Sequence, residues 1–215
     1  MTDIRDQRDR RREYDAASLR RADLAADPVA QFERWFAAAL EAETIEPTAM
    51  TLATATAAGR PSARIVLMKH FDADGLCWYT DSRSRKGAEL ADNPHAALLF
   101  HWPGAERQVR IEGTVERLPP NLADRYFNSR PEASRYSAAA SVQSSVVAGR
   151  DVLESRVAEL RLAHPDGGVA RPEAWIGYRL RPGRFEFWQG RVNRLHDRFE
   201  YRRDAKGWQV ERLSP

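Results

Sequence analysis

The sequence predicts a mainly β protein with peripheral helices, of the α+β class, whose antiparallel strands close or nearly close into a barrel. Three observations carry this. Short runs rich in β-branched and aromatic residues recur at 50–56, 62–69, 76–80, 95–102, 106–118, 175–181, 184–189, 194–203 and 208–213. Tight-turn signals such as Asp72-Ala73-Asp74-Gly75 and Pro103-Gly104 separate neighbouring runs, which favours antiparallel pairing. Helical patterns are inserted among the strands, and no internal repeat, low-complexity tract or glycine-rich phosphate loop is present.

In chain order, residues 1–26 read as a flexible arm with some helical character, dense in Arg and Asp, ahead of a single domain over 27–215. Asp27-Pro28 starts a helix, with Asp as N-cap and Pro at the first helical position. Phe32, Trp35, Phe36, Ala39 and Leu40 then keep helical spacing to about residue 43. The Thr- and Ala-rich run 50–56 turns at 57–60 into the strong strand 62–69. That strand is expected to form a hairpin with 76–80 across the Asp72–Gly75 turn. A short helix at 84–91 ends near Asn93-Pro94. The runs 95–102 and 106–118 make a second hairpin. Helices follow at 120–129, 131–140 and 150–163, the last with the stripe Leu153, Val157, Leu160, broken by 164–168. Four strands at 175–181, 184–189, 194–203 and 208–213 complete the chain.

With 215 residues, 42% hydrophobic and 30% charged, the composition is that of a globular protein with one substantial core. No run approaches the roughly 20 apolar residues needed to span a bilayer, and the polar start lacks a signal-peptide core, so a cytoplasmic location without membrane contact is expected. The single cysteine, Cys77, sits in the apolar run Leu76-Cys77-Trp78-Tyr79 and reads as a buried structural thiol. A net charge of +3 does not by itself imply nucleic acid. The five histidines lack metal-ligand spacing, so no metal is expected.

Arg194-Leu195-His196-Asp197-Arg198 carries the sharpest signal. On a strand, a period of two puts Arg194, His196 and Arg198 on one face and Leu195, Phe199 and Tyr201 on the other. Such a face suits an anionic or polar ligand; the alternative is a solvated edge strand. Arg64 and Lys69 bracket an apolar run and fall on opposite faces of its strand. Arg64, Arg85 and Lys86 together suit a terminal phosphate near a helix start. Gln108 offers an amide that both donates and accepts, as a heterocycle edge requires. Tyr126, Arg130 and Ser134 recur every four residues around Pro131 and offer a second phosphate site. No nucleophile–base arrangement stands out, so a bound cofactor is expected to do the chemistry.

Taken in order, RIVLMKH (64–70), WYT (78–80), SRK (84–86), ERQV (106–109), RYFNSRPEAS (125–134), QSS (143–145), EFWQG (186–190) and RLHDR (194–198) resemble the pyridoxine/pyridoxamine 5′-phosphate oxidase family over nearly the whole chain. The resemblance implies an FMN-binding antiparallel split β-barrel and a homodimer with FMN at the subunit interface. It matches FMN contacts to Arg64, Ile65, Val66, Leu67, Met68, Lys69, Tyr79, Thr80, Arg85, Lys86, Gln108, Gln143, Ser144, Trp188 and Arg198. It matches substrate contacts to Lys69, Tyr126, Arg130, Ser134, Arg194, Leu195 and His196, with Arg194 and His196 in catalytic positions. Arg11, Arg12, Glu13 and Tyr14 match a segment that closes over the site. The implied reaction oxidises pyridoxamine or pyridoxine 5′-phosphate at C4′ to pyridoxal 5′-phosphate. A hydride passes to the flavin, O2 is reduced to H2O2, and the amine substrate releases ammonia. The residues 191–193 depart from the family locally and bear on fine substrate preference. Three other readings compete: a phenazine-pathway oxidase on the same barrel, a non-catalytic flavin or pyridoxal phosphate binder, and a nucleic-acid-binding barrel. The last is disfavoured because the arginines are spread among apolar strands and form no basic stripe.

Overall fold

The structure is a computed structural model that describes residues 13–42 and 45–215. The described chain runs α1 (Pro28–Ala42), β1 (Ala49–Ala55), β2 (Pro61–Leu67), β3 (His70–Asp72), β4 (Gly75–Asp81), α2 (Arg85–Asp92), β5 (His95–Trp102), β6 (Arg107–Arg117), α3 (Pro120–Ser129), α4 (Glu132–Ala140), α5 (Arg150–Ala163), β7 (Trp175–Gln189), β8 (Asp197–Asp204) and β9 (Gly207–Leu213). Short 3-10 segments lie at Arg21–Asp23 and Val192–Arg194. No helix among the described residues is long and apolar enough to cross a membrane.

Two compact units divide the chain. One takes the described residues through Ala49, Leu99–Ile111 and Gly183–Pro215; the other takes Met50–Leu98 and Glu112–Pro182. In the first, Asp27 caps α1, its Oδ1 accepting from the Val29 and Ala30 amides at 2.8 and 3.0 Å. The buried stripe of α1 is Phe32, Trp35 and Ala39; Leu40, at 54% exposure, lies off it. Phe32 packs 5.1 Å from Phe100 and Trp35 edge-on to Phe187 at 5.3 Å. β7, β8 and β9 form an antiparallel ladder from Arg184↔Arg202 to Gln189↔Asp197 and from Arg198↔Leu213 to Asp204↔Gly207. The alternate aromatics Phe185, Phe187, Phe199 and Tyr201 of this ladder are fully buried and share its core face.

The second unit orders its strands β2-β1-β5-β6-β7-β4-β3. β4 is antiparallel to β3 on one side and to β7 on the other. Strands flanked on both sides read as continuous apolar runs, and Leu76, Cys77 and Trp78 are all buried. Cys77 is the buried structural thiol expected, its pKa pushed up by that burial. A buried cluster joins Ala123 and Phe127 of α3, Tyr136 of α4, Val169 of the loop after α5 and Trp175 at the start of β7.

Three expectations need correction. The strand expected at 62–69 stops at Leu67, and its hairpin with 76–80 does not form. β3 takes that place, the Lys69 N–H bonds to the Cys77 carbonyl at 2.9 Å, and β2 and β3 end at opposite ends of the strand order. The runs 175–181 and 184–189 are one strand, β7. Its pairing with β4 ends at Leu180 and that with β8 begins at Arg184, so Pro182 sits where neither ladder needs its missing N–H. The strand expected from 194 begins at Asp197; Asn193 and Arg194 have φ of 55° and 63°, outside strand geometry. Arg194 and His196 therefore do not share a strand face with Arg198, and Leu195 is 71% exposed instead of packed. The separate helices expected at 120–129 and 131–140 do form: α3 ends at Ser129 and Pro131 caps α4, so Tyr126, Arg130 and Ser134 do not lie on one helix.

Of the expected arm, residues 1–12 lie outside the described residues. The rest is held in the first unit. The Ala16 amide donates to Glu106 Oε2 at 3.0 Å, the Leu19 amide to Asp197 Oδ2 at 3.1 Å, and Leu19 itself is buried.

Candidate active site

A cavity of about 810 Å³ opens in the second unit. Its floor is β2, its sides the end of β4 and the start of α2, and its far wall α3, α4 and the loop after them. Arg64, Ile65, Val66, Leu67, Lys69, Tyr79, Thr80, Arg85, Lys86, Gln143 and Ser144 line it, as do Tyr126 and Arg130. Arg64 and Lys69, expected on opposite strand faces, reach the same cavity because the chain leaves β2 before Lys69. Met68 is buried beside the cavity and does not line it, and Ser134 is half-buried on α4 without lining it.

The start of α2 is fixed by its own cap. Ser84 Oγ accepts from the Gly87 amide at 3.3 Å and donates to the Asp81 carbonyl at 2.7 Å. Lys86 turns inward at 7% exposure, where Nζ donates to Gln143 Oε1 at 2.6 Å, Ser84 Oγ at 3.1 Å and Thr80 Oγ1 at 3.2 Å. All three are neutral acceptors. Burial, then repulsion from Arg64, lowers the Lys86 pKa from 10.5 to about 8 against the opposing pull of Asp81.

Glu89, one turn after Arg85, collects the neighbouring donors. Its Oε1 accepts from Arg85 Nε at 2.9 Å; its Oε2 accepts from Thr54 and Ser62 at 2.5 Å each and lies 3.4 Å from Arg64 Nη2. Burial alone would raise its pKa, but hydrogen bonds from Ser62, Thr54 and Arg85 hold it at about 2. Arg64 also donates through Nη1 to the Leu52 carbonyl at 3.1 Å and Thr54 Oγ1 at 2.6 Å. Both arginines are thus positioned by protein groups alone.

At the other end of the cavity Tyr79, Tyr126 and Trp175 form an aromatic stack, with ring centroids 4.4 Å apart for Tyr79–Tyr126 and 5.5 Å for Tyr79–Trp175. The Arg130 guanidinium lies 5.1 Å from the Trp175 ring, and its Nη1 is buried without a hydrogen-bond partner. An unpaired buried guanidinium nitrogen is costly and is satisfied by an anionic acceptor.

The remaining predicted residues lie in the first unit. Gln108 is half-buried on β6. Arg198 on β8 donates through Nε to Glu186 Oε1 at 2.8 Å and through Nη1 to the Ser214 carbonyl at 2.6 Å. Glu186, 3% exposed, also binds Arg110 at 2.6 Å. Trp188 packs 4.6 Å from His196, and Tyr14 meets both edge-on, at 5.8 Å from Trp188 and 5.7 Å from His196. Arg194 lies 5.9 Å from the Tyr14 ring, and Glu13 accepts from the Asn193 amide at 3.2 Å. Burial, with Arg194 and Arg198 nearby, lowers the His196 pKa. Arg11 and Arg12 lie outside the described residues.

Sequence reasoning missed Glu89, Trp175 and Glu186. The four-residue spacing of Arg85 and Glu89 on a short helix was a usable signal for the first. Glu186 had none, since its partners come from β6 and β8.

Comparison with known proteins accords with this geometry. Residues 36–164 match the family described as pyridoxamine 5′-phosphate oxidase, and residues 175–215 match the C-terminal dimerisation region of pyridoxine 5′-phosphate oxidase. The pyridoxine/pyridoxamine 5′-phosphate oxidase of Cupriavidus metallidurans is 53% identical over 96% of this chain and 98% of its own length; that of Janthinobacterium sp. (strain Marseille) is 54% identical over the same shares. Among solved structures, PhzG from Burkholderia lata 383, in complex with tetrahydrophenazine-1-carboxylic acid, superposes with a TM-score of 0.86 at 34% identity, covering 90% of this chain and 95% of that one. A pyridoxamine 5′-phosphate oxidase-related, FMN-binding protein from Nostoc punctiforme PCC 73102 shares the fold, with a TM-score of 0.69 at 18% identity over 89% of this chain and 100% of that one. The fold is the antiparallel split β-barrel with peripheral helices that the sequence predicts. On the match of both segments and of full-length relatives, the chain belongs to the pyridoxine/pyridoxamine 5′-phosphate oxidase family of enzymes.

Proposed function

We propose that this protein is a cytoplasmic, homodimeric, FMN-dependent oxidase that converts pyridoxamine and pyridoxine 5′-phosphates to pyridoxal 5′-phosphate, with FMN at the subunit interface. The observation that carries this reading is the cavity of the second unit. It gathers Arg64, Lys69, Arg85, Lys86 and Arg130 around an aromatic stack, with no nucleophile–base pair among its lining residues. These residues fit a flavin phosphate. Arg64 and Arg85 are preset by Glu89, Lys86 is held charged among neutral acceptors, and the N-terminus of α2 favours an anion. Bound FMN would supply the two-electron acceptor for the C4′–H bond, with O2 as the final acceptor giving H2O2 and hydrolysis of the amine product giving ammonia.

The protein's share is positioning and electrostatics. Lys69, Tyr126 and Arg130 would hold the substrate phosphate, the last through its unpaired Nη1, with Ser134 supporting it from α4. Arg194, Leu195 and His196 would contact the substrate near the reacting carbon, and Glu13 and Tyr14 would cover it. Gln108, Trp188 and Arg198 would contact the flavin, the last two from the segment that matches the dimerisation region.

One observation favours a second reading: the 34%-identical PhzG structure holds a phenazine carboxylic acid. Against it stand the 53–54% identities to relatives named for the vitamin B6 reaction and a second phosphate-type cation set that a carboxylate-bearing phenazine does not require. The test is a visible spectrum of the purified protein. Flavin bands should bleach on anaerobic addition of pyridoxamine 5′-phosphate and return with air, releasing H2O2. Unbleached flavin would refute the reading; bleaching only by a dihydrophenazine would establish the second.

A further inference from the structure

We infer that His196 is held as a neutral hydrogen-bond donor, with its proton on Nε2, and is not the base that receives the substrate's proton. The inference deepens the proposed function and rests on it for the identity of the acceptor. It begins at one bond: the Arg191 backbone N–H donates to His196 Nδ1 at 3.1 Å. A backbone N–H has no acceptor capacity, so Nδ1 must present its lone pair. Of the two neutral tautomers, only the one protonated at Nε2 meets that demand. In the imidazolium form, or the other tautomer, two N–H groups would face each other.

The bond is held from both sides. Arg191 Nη1 donates to the Ala17 carbonyl at 2.9 Å and its Nε lies 3.5 Å from Asp197 Oδ2, which fixes the donor. The ring is set between Trp188 and Tyr14. The charged groups around it oppose protonation. Arg194 and Arg198 flank it, while the nearby carboxylates are engaged elsewhere: Asp197 by Arg212 and the Leu19 amide, Glu13 by the Asn193 amide. No carboxylate among the described residues accepts from Nδ1, as one would in a base-activating pair. Nε2 has no partner among the described residues and is the atom left for substrate.

Two measurements test this. Two-bond ¹⁵N–¹H NMR correlation of histidine-labelled, cofactor-free protein, with His196 assigned by its loss in His196→Gln, should show a neutral ring protonated at Nε2 at pH 7.5. Kinetics of the FMN-loaded variants should then separate by which ring atom is replaced. The amide nitrogen of His196→Gln reaches the Nε2 position, whereas His196→Asn replaces only Nδ1. A lost hydrogen bond of this kind corresponds to about 10- to 100-fold, so Gln should exceed Asn by at least about tenfold in kcat/KM. An Nδ1–H or imidazolium signal at pH 7.5, or equal losses in Gln and Asn, would overturn the inference. Wild-type protein without pyridoxamine phosphate turnover would instead defeat the proposed function and leave the NMR result standing.

Discussion

Replacing Lys86 by Met should separate what this residue does for binding from what it does to stability. Lys86 is 7% exposed and its pKa falls from 10.5 to about 8 in the folded, ligand-free protein. Carrying the charge in the fold therefore costs about 3 kcal/mol. Below pH 8 both folded and unfolded chains hold the proton, and the full cost is present. Between about 8 and 10.5 the folded state has released it and the unfolded chain has not, so stability rises with pH in this window. Met titrates nowhere, so the other groups cancel in the difference. From pH 7.5 to 9.5, wild type should gain about 2 kcal/mol relative to Lys86→Met in urea unfolding of cofactor-free protein at equal m. A difference that stays flat within about 0.5 kcal/mol would refute the reasoning, since it would mean that Lys86 is not desolvated. In the same variant FMN affinity should fall about 10- to 100-fold, the worth of a charge-assisted hydrogen bond, with a smaller effect on substrate. Greater loss of substrate than of FMN would show that the two phosphate positions are interchanged.

Arg194→Ala should cut turnover at least about 100-fold while leaving the yellow FMN complex intact; unchanged turnover in a steady-state H2O2 assay refutes its role. Glu89→Leu releases Arg64 and Arg85 from their common carboxylate. The preference for FMN over riboflavin, read by flavin fluorescence quenching, should then fall about tenfold, whereas equal losses for both flavins would show only general damage. In Gly190→Ala the new Cβ would stand 2.8 Å from Tyr14 Cβ and Cγ. Tyr14 must move, so KM for pyridoxamine phosphate should rise severalfold with FMN affinity unchanged; a fall in FMN affinity instead would place Tyr14 beside the cofactor.

Local rules made most elements legible, and long-range pairing decided the errors. Asp27-Pro28, Ser84 and Pro131 act through their nearest neighbours, so the helix starts could be read directly. The apparent 62–69/76–80 hairpin failed because the chain breaks at Met68-Lys69 and hands the pairing to three residues, His70–Asp72, too few for a strand signal. The runs 175–181 and 184–189 read as two strands because nothing local reveals that β7 exchanges β4 for β8 around Pro182. The most instructive miss is Arg194. Alternation of Arg194, His196 and Arg198 imitates a strand, but Asn193 and Arg194 take left-handed φ values that no side-chain pattern announces. These residues were chosen for a strand geometry that two of them do not have.

The distribution of charge says more than its total. An overall +3 identifies no ligand. In the first unit, buried acids absorb the arginines: Glu186 holds Arg110 and Arg198, Glu200 holds Arg184, and Asp197 holds Arg191 and Arg212. In the second, Glu89 holds Arg64 and Arg85, but Lys69, Lys86 and Arg130 line the same cavity, whose only lining carboxylate among the described residues, Asp81, is paired with Arg83 at 2.7 Å. A chain free to optimise stability alone would not keep Lys86 charged among neutral acceptors or leave Arg130 Nη1 without a partner. Both features cost stability in the fold itself, and an anionic ligand would offset that cost. The cation excess of this cavity is what the proposed phosphate-bearing ligands would require, and the lowered Lys86 pKa reflects the desolvation that the fold imposes on that cation.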